Sequence, residues 1–193
     1  RLARGARYSD ALSVRQAIEV YFQRSRFGRE TYTERWVRLP IGPFTLYLPN
    51  LPPRKRVVPL HDVNHLVCEY DTNWRGEMSI TGFELGVGIG RYWFGWIIIL
   101  QGLWIGLLFY PRDLWQGFVR GRRTRKSLYR TYPYSEALLN MSLGELRNQL
   151  GLAEKHAHLQ WGDIPAFIGL ALISLVLHSP FLVFPLWIIH WLR

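Results

Sequence analysis

Three residues near the middle of the chain have the side-chain types and the spacing of a metal site. The segment HDVNH at 61–65 places His61 and His65 four residues apart, and eleven residues separate His65 from Glu77. On a helix, residues four apart lie on the same face, so both imidazoles can bind one ion. Two nitrogens and one or two carboxylate oxygens leave coordination positions open, which is typical of a catalytic metal site.

Two further acidic residues accompany this group. Asp62 points about 100° away from His61 on a helix. It is therefore either a fourth ligand, reached through a bent first turn, or a hydrogen-bond acceptor that orients an imidazole. Glu84 follows Glu77 on the same helix face, about 10 Å further along, where it can contact the substrate or a metal ligand. Cys68 is most simply a small core residue, and we leave it out of the site.

The charge distribution sets this region apart from the rest of the chain. The 193 residues carry 24 Lys and Arg against 14 Asp and Glu, a net charge of +10, yet residues 61–92 are net acidic. Chance spacing of surface residues is the alternative to a metal site, and the local acidity favours the site. The densest basic run, 120–126, follows an apolar segment, which predicts contact with an anionic membrane or substrate. No DNA- or RNA-binding motif accompanies the charge, so we predict no nucleic-acid partner.

The hydrophobic pattern predicts an all-α fold, a single mostly helical domain with the metal site between two helices. The first of these helices is expected to begin at Leu60, with Pro59 at its start, and to end near 71–76. The second is expected to begin near Glu77 and to continue into the apolar segment that follows. The other predicted elements are a helix over 8–27 capped by Ser9 or Asp10, an irregular connector over 39–59 with one small hairpin, and an amphipathic stretch over 134–152 with a capping box at Ser142.

Two apolar runs, 92–110 and 164–192, are long enough to raise the question of a membrane. Arginines lie on both sides of the first run, so we expect it to be buried in the domain or to lie in the membrane interface. Pro180 and Pro185 are expected to split the second run. We therefore predict a helical metal-binding domain over 1–154 and a hydrophobic membrane-anchoring tail over 155–193.

The central motif resembles a known signature. HDVNH at 61–65, followed by eleven residues and Glu77, is similar to the HDxxHx11E signature of the Coq-four family of coenzyme Q (ubiquinone) biosynthesis proteins. The resemblance covers roughly residues 35–153, and further similar segments lie at 69–72, 83–85, 118–123 and 141–151. The chain departs from the family at Glu69, where a glycine is common, and in its apolar tail.

The resemblance implies a divalent metal ion, with zinc favoured over iron, manganese or cobalt, and a metal-dependent protein acting on a polyprenylated benzoquinone precursor. The implied reaction is oxidative decarboxylation at ring carbon C1, of the lyase or oxidoreductase type. The implied location is the cytoplasmic face of the bacterial inner membrane or the matrix face of the mitochondrial inner membrane. The implied partners are membrane lipids, the other quinone biosynthesis enzymes and a second copy of the chain. The residues assigned in this way are His61, Asp62, His65 and Glu77 as metal ligands, Asp62 and Glu77 as catalytic groups, and Glu84, Arg120, Arg122 and Arg123 as substrate-binding groups.

Two other functions stay open at this point. In the first, the protein is a non-catalytic lipid-binding scaffold that organises the quinone biosynthesis enzymes, and the metal is structural. In the second, it is an unrelated membrane-bound metallohydrolase. This last hypothesis ranks lowest because Asp62 stands where zinc proteases of the His-Glu-x-x-His type have a longer glutamate.

Overall fold

Two central helices carry the residues of the signature. The computed structural model describes residues 8–24, 30–41 and 44–191. Over these ranges the chain forms a single, mostly helical domain, which confirms the predicted fold class at that level. The elements in chain order are α1 (Val14–Arg24), α2 (Glu30–Thr33), β1 (Trp36–Ile41), β2 (Phe44–Pro49), α3 (Pro52–Cys68), α4 (Trp74–Val87), α5 (Trp93–Phe109), α6 (Pro111–Arg123), α7 (Leu128–Thr131), α8 (Glu136–Asn140), α9 (Leu143–Leu150) and α10 (Asp163–Trp191).

Helix α1 begins later than predicted because a different residue caps it. The Gln16 backbone N–H donates to Ser13 Oγ (3.2 Å), and the Ser13 N–H donates to Gln16 Oε1 (2.9 Å). This reciprocal pair is a capping box, which satisfies two N–H groups at the helix start. The prediction of Ser9 or Asp10 as the cap is wrong, and the predicted end of the helix at 25–27 lies outside the described residues.

The connector before the site is more regular than its prolines indicate. Strands β1 and β2 pair antiparallel as the expected hairpin. Helix α3 then begins at Pro52, eight residues before the predicted start at Leu60. Prolines in the first helical turn lose no hydrogen bond, so Pro52 and Pro53 suit this start. Pro59 lies inside the helix, where it is buried.

Two buried or half-buried arginines hold the end of α3 in place. The helix ends at Cys68, earlier than predicted, because Glu69 adopts the left-handed conformation (φ 56°) that terminates helices. The guanidinium of Arg147 donates to the carbonyls of Leu66 (3.0 Å) and Val67 (3.1 Å). Arg120 donates to the carbonyl of Cys68 (2.8 Å). These bonds satisfy carbonyls that the helix itself leaves unpaired.

Helix α4 is separate from the apolar helix that follows it. It begins at Trp74, where Asn73 Oδ1 accepts from the Gly76 N–H (3.0 Å), and it ends at Val87. The prediction that this helix continues into the apolar segment is wrong. Gly88 (φ 76°) and Gly90 (φ 61°) form a turn in conformations that favour glycine.

Helices α4 and α6 cross in backbone contact because each has two glycines four residues apart. A Cβ added at Gly117 would lie 2.0 Å from Ser79 O, and one added at Gly82 would lie 2.0 Å from Leu114 O. Gly86 and Gly121 are equally close to the facing helix. This contact was not predicted from the sequence, although the four-residue spacing of glycines on both helices is a readable signal.

We predict that Gly117→Ala lowers the free energy of unfolding by about 3 kcal/mol, because the new methyl group meets rigid backbone. Gly169→Ala is the matched control, since Gly169 lies in a helix and has no atom within 4 Å of the added Cβ. The control is expected to be neutral or to stabilise by about 0.5–1 kcal/mol. Urea denaturation measures both variants, and equal stability of the two would contradict the contact.

The two apolar runs form helices that pack on the domain along one side. Helix α5 buries Ile99, Leu100 and Leu103, so the expected burial of 92–110 holds for one face of it. The tail forms one helix, α10, that is not split at its prolines, and Ser174 Oγ donates to Leu100 O (2.8 Å). Within the part of the chain that the structure describes, no helix combines the length and the apolarity needed to cross a membrane. The predicted membrane anchor at 155–193 is therefore not supported, and side chains from 180 onward lie outside the described residues.

Candidate metal centre

Three of the predicted ligands converge between α3 and α4. The Nε2 atoms of His61 and His65 lie 3.2 Å apart. Glu77 Oε2 lies 3.6 Å from His61 Nε2, and Glu77 Oε1 lies 3.5 Å from His65 Nε2. All three ligand atoms lie within 4.8 Å of one another, so the group can hold a metal ion. Gly76 lets the carboxylate return to this point, because a Cβ there would overlap Asp71 O at 1.8 Å.

The hydrogen bonds of the two imidazoles direct lone pairs toward the centre of this group. His65 Nδ1 lies 3.1 Å from the Tyr70 carbonyl, and His61 Nδ1 lies 3.1 Å from both oxygens of Glu84. A carbonyl and a carboxylate only accept, so both Nδ1 atoms carry the proton. In the neutral rings both Nε2 atoms then present lone pairs beside the Glu77 carboxylate. A proton on one Nε2 or a metal ion between the three groups satisfies this arrangement, and the donor set suits zinc and similar divalent metals.

The electrostatics of the site also favour a cation. Burial lowers the pKa of His61, but the Glu84 and Glu77 carboxylates outweigh burial and raise that pKa well above its ordinary value. Burial raises the pKa of Glu77, but His65 and His61 outweigh it and hold the pKa below its usual range. Glu77 is therefore ionised and available as a ligand.

Glu84 is buried and accepts a hydrogen bond from His61, one of the three candidate ligands. Its side chain is 1% exposed, and it accepts from Asn64 Nδ2 (3.0 Å) and from the Tyr129 hydroxyl (2.7 Å) as well as from His61. A carboxylate that accepts the second N–H of a histidine ligand fixes the ring and raises its basicity. Burial raises the pKa of Glu84, but His61, Asn64 and Tyr129 outweigh it and leave the pKa below its usual value.

The structure does not bring Asp62 together with the other three predicted ligands. Its Oδ1 accepts from the Tyr21 hydroxyl (3.1 Å), and its Oδ2 accepts from the Tyr32 hydroxyl (2.6 Å). Asp62 is buried, and burial raises its pKa against the opposing effects of His61, Tyr32 and His65. The carboxylate thus ties α3 to α1 and α2.

The three predicted substrate-binding arginines are engaged in contacts within the protein. Arg120 is buried, and besides Cys68 it donates to the Ala153 carbonyl (2.9 Å). Arg123 pairs with Asp163 at the start of α10, and Arg122 lies 3.4 Å from the same carboxylate. These residues join α6 to the end of α3 and to α10.

Sequence reasoning missed several polar residues around the ligands. Asn64 had a readable signal, because it lies three residues after His61 on the ligand face of α3. Tyr21, Tyr32 and Tyr129 had none, because each reaches the site from a distant element.

The fold and the site together define a helical domain with a candidate metal centre of two histidines and one glutamate. Comparison of the chain with protein-family models, with curated proteins and with solved structures gives no match.

Proposed function

We propose that the protein is a metal-dependent ubiquinone biosynthesis protein that acts on a polyprenylated benzoquinone precursor and removes its ring carboxylate oxidatively at C1. The observation that carries this proposal is the convergence of His61, His65 and Glu77 on one point. The spacing of these residues is also that of the Coq-four signature, on which the choice of substrate rests.

His61, His65 and Glu77 would hold the ion, and zinc is our first choice. A divalent ion bound there supplies Lewis acidity toward a ring carboxylate or phenolate. Glu84 orients His61 by accepting from its Nδ1. Glu77 would be committed as a ligand, and both oxygens of Asp62 already accept from phenols away from the three ligands, so we assign the proton transfer to neither carboxylate.

Exposed apolar side chains support contact with a membrane surface. Leu108, Phe109 and Val176 are about 70% exposed, and exposed apolar patches mark interaction sites. We propose that these faces of α5 and α10 lie against lipid and lead the prenyl tail to the site. The exposed residues concerned are Trp93, Ile97, Ile98, Ile105, Leu108 and Phe109 on α5, and Ile164, Ile168, Leu172, Ile173, Val176 and Leu177 on α10.

The same apolar faces favour the scaffold as the second candidate function. A scaffold needs only a lipid-facing surface and a stable fold. The protein would have both even if it converted no substrate.

A direct assay separates the two functions. Metal-loaded protein is incubated in vesicles with a prenylated ring acid labelled in its carboxyl group. The incubation is done in air and without oxygen, because replacing the carboxylate by a hydroxyl from water releases carbon dioxide and two electrons, which oxygen or another oxidant must accept. We expect labelled carbon dioxide from the unaltered protein and none from His61→Ala/His65→Ala. His156→Ala/His158→Ala, which alters two exposed histidines, is the control and is expected to retain turnover. Bound prenyl lipid with no turnover favours the scaffold, and turnover that survives loss of His61 and His65 contradicts metal dependence.

A further inference from the structure

A concave basic surface lies away from the metal centre, where α4 and α6 end. It is an open depression of about 270 Å³. Its floor is the close crossing of the two helices at Gly86 and Gly121, and its walls come from the segment that follows α6. The charged residues that line it are Arg122, Arg125, Lys126 and Arg130.

Three of the four charges in this depression have no carboxylate partner among the described residues. Its lining contains four cations and no carboxylate. Arg122 lies 3.4 Å from Asp163, but within the described ranges no carboxylate lies within 4.0 Å of Arg125, Lys126 or Arg130. Like charges gathered in a concave surface raise the local concentration of anions.

The walls are held in place by bonds that do not use these charged groups. The backbone N–H groups of Arg125 and Lys126 donate to carbonyls at the end of α9, at 3.2 and 3.0 Å. Ser127 Oγ donates to Gly88 O (2.5 Å). The stem of Arg130 packs on Gly90, where an added Cβ would lie 3.0 Å from Arg130 Cγ. The backbone that carries the cations is therefore fixed before any ligand arrives, which lowers the cost of binding.

We propose that this depression binds a phosphoryl group through Arg125, Lys126 and Arg130. A carboxylate would compensate one of the three charges, whereas a phosphate monoester carries about −1.5 to −2 and a diphosphate carries more. Guanidinium groups match the geometry of phosphate oxygens with paired hydrogen bonds, and the ammonium of Lys126 adds a point charge.

The phosphoryl site is separate from the metal centre. Gly86 lies nine residues after Glu77 on α4, which is about 13–14 Å along the helix axis. Glu77 faces α3, whereas Gly86 faces α6. Phosphoryl binding therefore does not depend on the proposed metal or on the proposed reaction.

Calorimetric titration of the full chain with sodium pyrophosphate tests the site. We expect saturable one-to-one binding that weakens about 100-fold in Arg125→Gln/Lys126→Gln/Arg130→Gln. The control Arg35→Gln/Arg56→Gln/Arg112→Gln removes the same charge from exposed positions outside the depression and is expected to bind as the unaltered protein does. Circular dichroism is used to check that both variants are folded, and His61→Ala/His65→Ala is expected to bind pyrophosphate normally.

A second arm identifies the source of the phosphoryl group. Binding to phosphatidylcholine vesicles is compared with and without phosphatidic acid, using the same two triple variants. Loss specific to the Arg125, Lys126 and Arg130 variant in both arms assigns a general phosphoryl site, and loss in the vesicle arm alone assigns a lipid headgroup. Loss in the pyrophosphate arm alone assigns a soluble phosphate. Equal behaviour of the two triple variants in both arms overturns the proposal.

Discussion

Replacing His61 and His65 together by alanine is expected to reduce the metal content from about one ion per chain to near zero. The two imidazoles supply two of the three converging ligands, and Glu77 alone is a weak site for a divalent ion. Metal content is measured on protein purified without chelator and loaded with zinc. We also expect zinc to raise the free energy of unfolding of the unaltered protein by about 2.7 kcal/mol at a free concentration of 100 times Kd, and to leave the double variant unchanged.

The control for this experiment is His156→Ala/His158→Ala, which removes the same number of imidazoles from exposed positions. It should keep its metal and its response to zinc. A double variant at 61 and 65 that still binds one zinc ion would refute the site, whatever its activity.

Glu84→Gln is expected to weaken metal binding by about 10–100-fold while the protein remains folded. Glutamine keeps the shape of the side chain but removes the charge that His61 faces at 3.1 Å. The His61 ring is then a poorer base. Its tautomer is also no longer fixed, because the glutamine amide can donate as well as accept a hydrogen bond. The dissociation constant for zinc measures this effect, with Glu154→Gln as the control at an exposed glutamate.

Stability has to be measured alongside, because Glu84 also accepts from Asn64 and Tyr129. One unsatisfied buried group costs about 1–3 kcal/mol. A purely structural role for Glu84 predicts that stability falls by such an amount and that zinc affinity changes less than twofold. That result would contradict the role of Glu84 in orienting His61 at the candidate metal centre.

Local spacing was sufficient to predict that His61, His65 and Glu77 lie together, although it also assigned Asp62 to the set. His61 and His65 share a face of α3 at whatever residue the helix begins, so the error of eight residues in the predicted start did not affect the pair. Glu77 follows a short turn, and the absence of a side chain at Gly76 permits the close approach to Asp71 that returns the carboxylate to α3.

The helix boundaries were less predictable from the sequence. Pro59 is an expected helix start by local preference, yet it lies buried inside α3. The turn at Gly88 and Gly90 was missed because the apolar pattern on either side is helical, and the backbone conformation at a glycine is decided by its surroundings.

The amino-acid sequence by itself determined that this chain is mostly helical and that two histidines and a glutamate can share an ion, because both properties depend on residues close together in the chain. Only the tertiary structure decided what surrounds that group. The pairing of Glu84 with His61 and Tyr129, and of Asp62 with Tyr21 and Tyr32, joins residues 20 or more positions apart. The physical reason is that buried polar groups must find partners wherever packing places them, and the packing of α4 is set by its glycine contacts with α6.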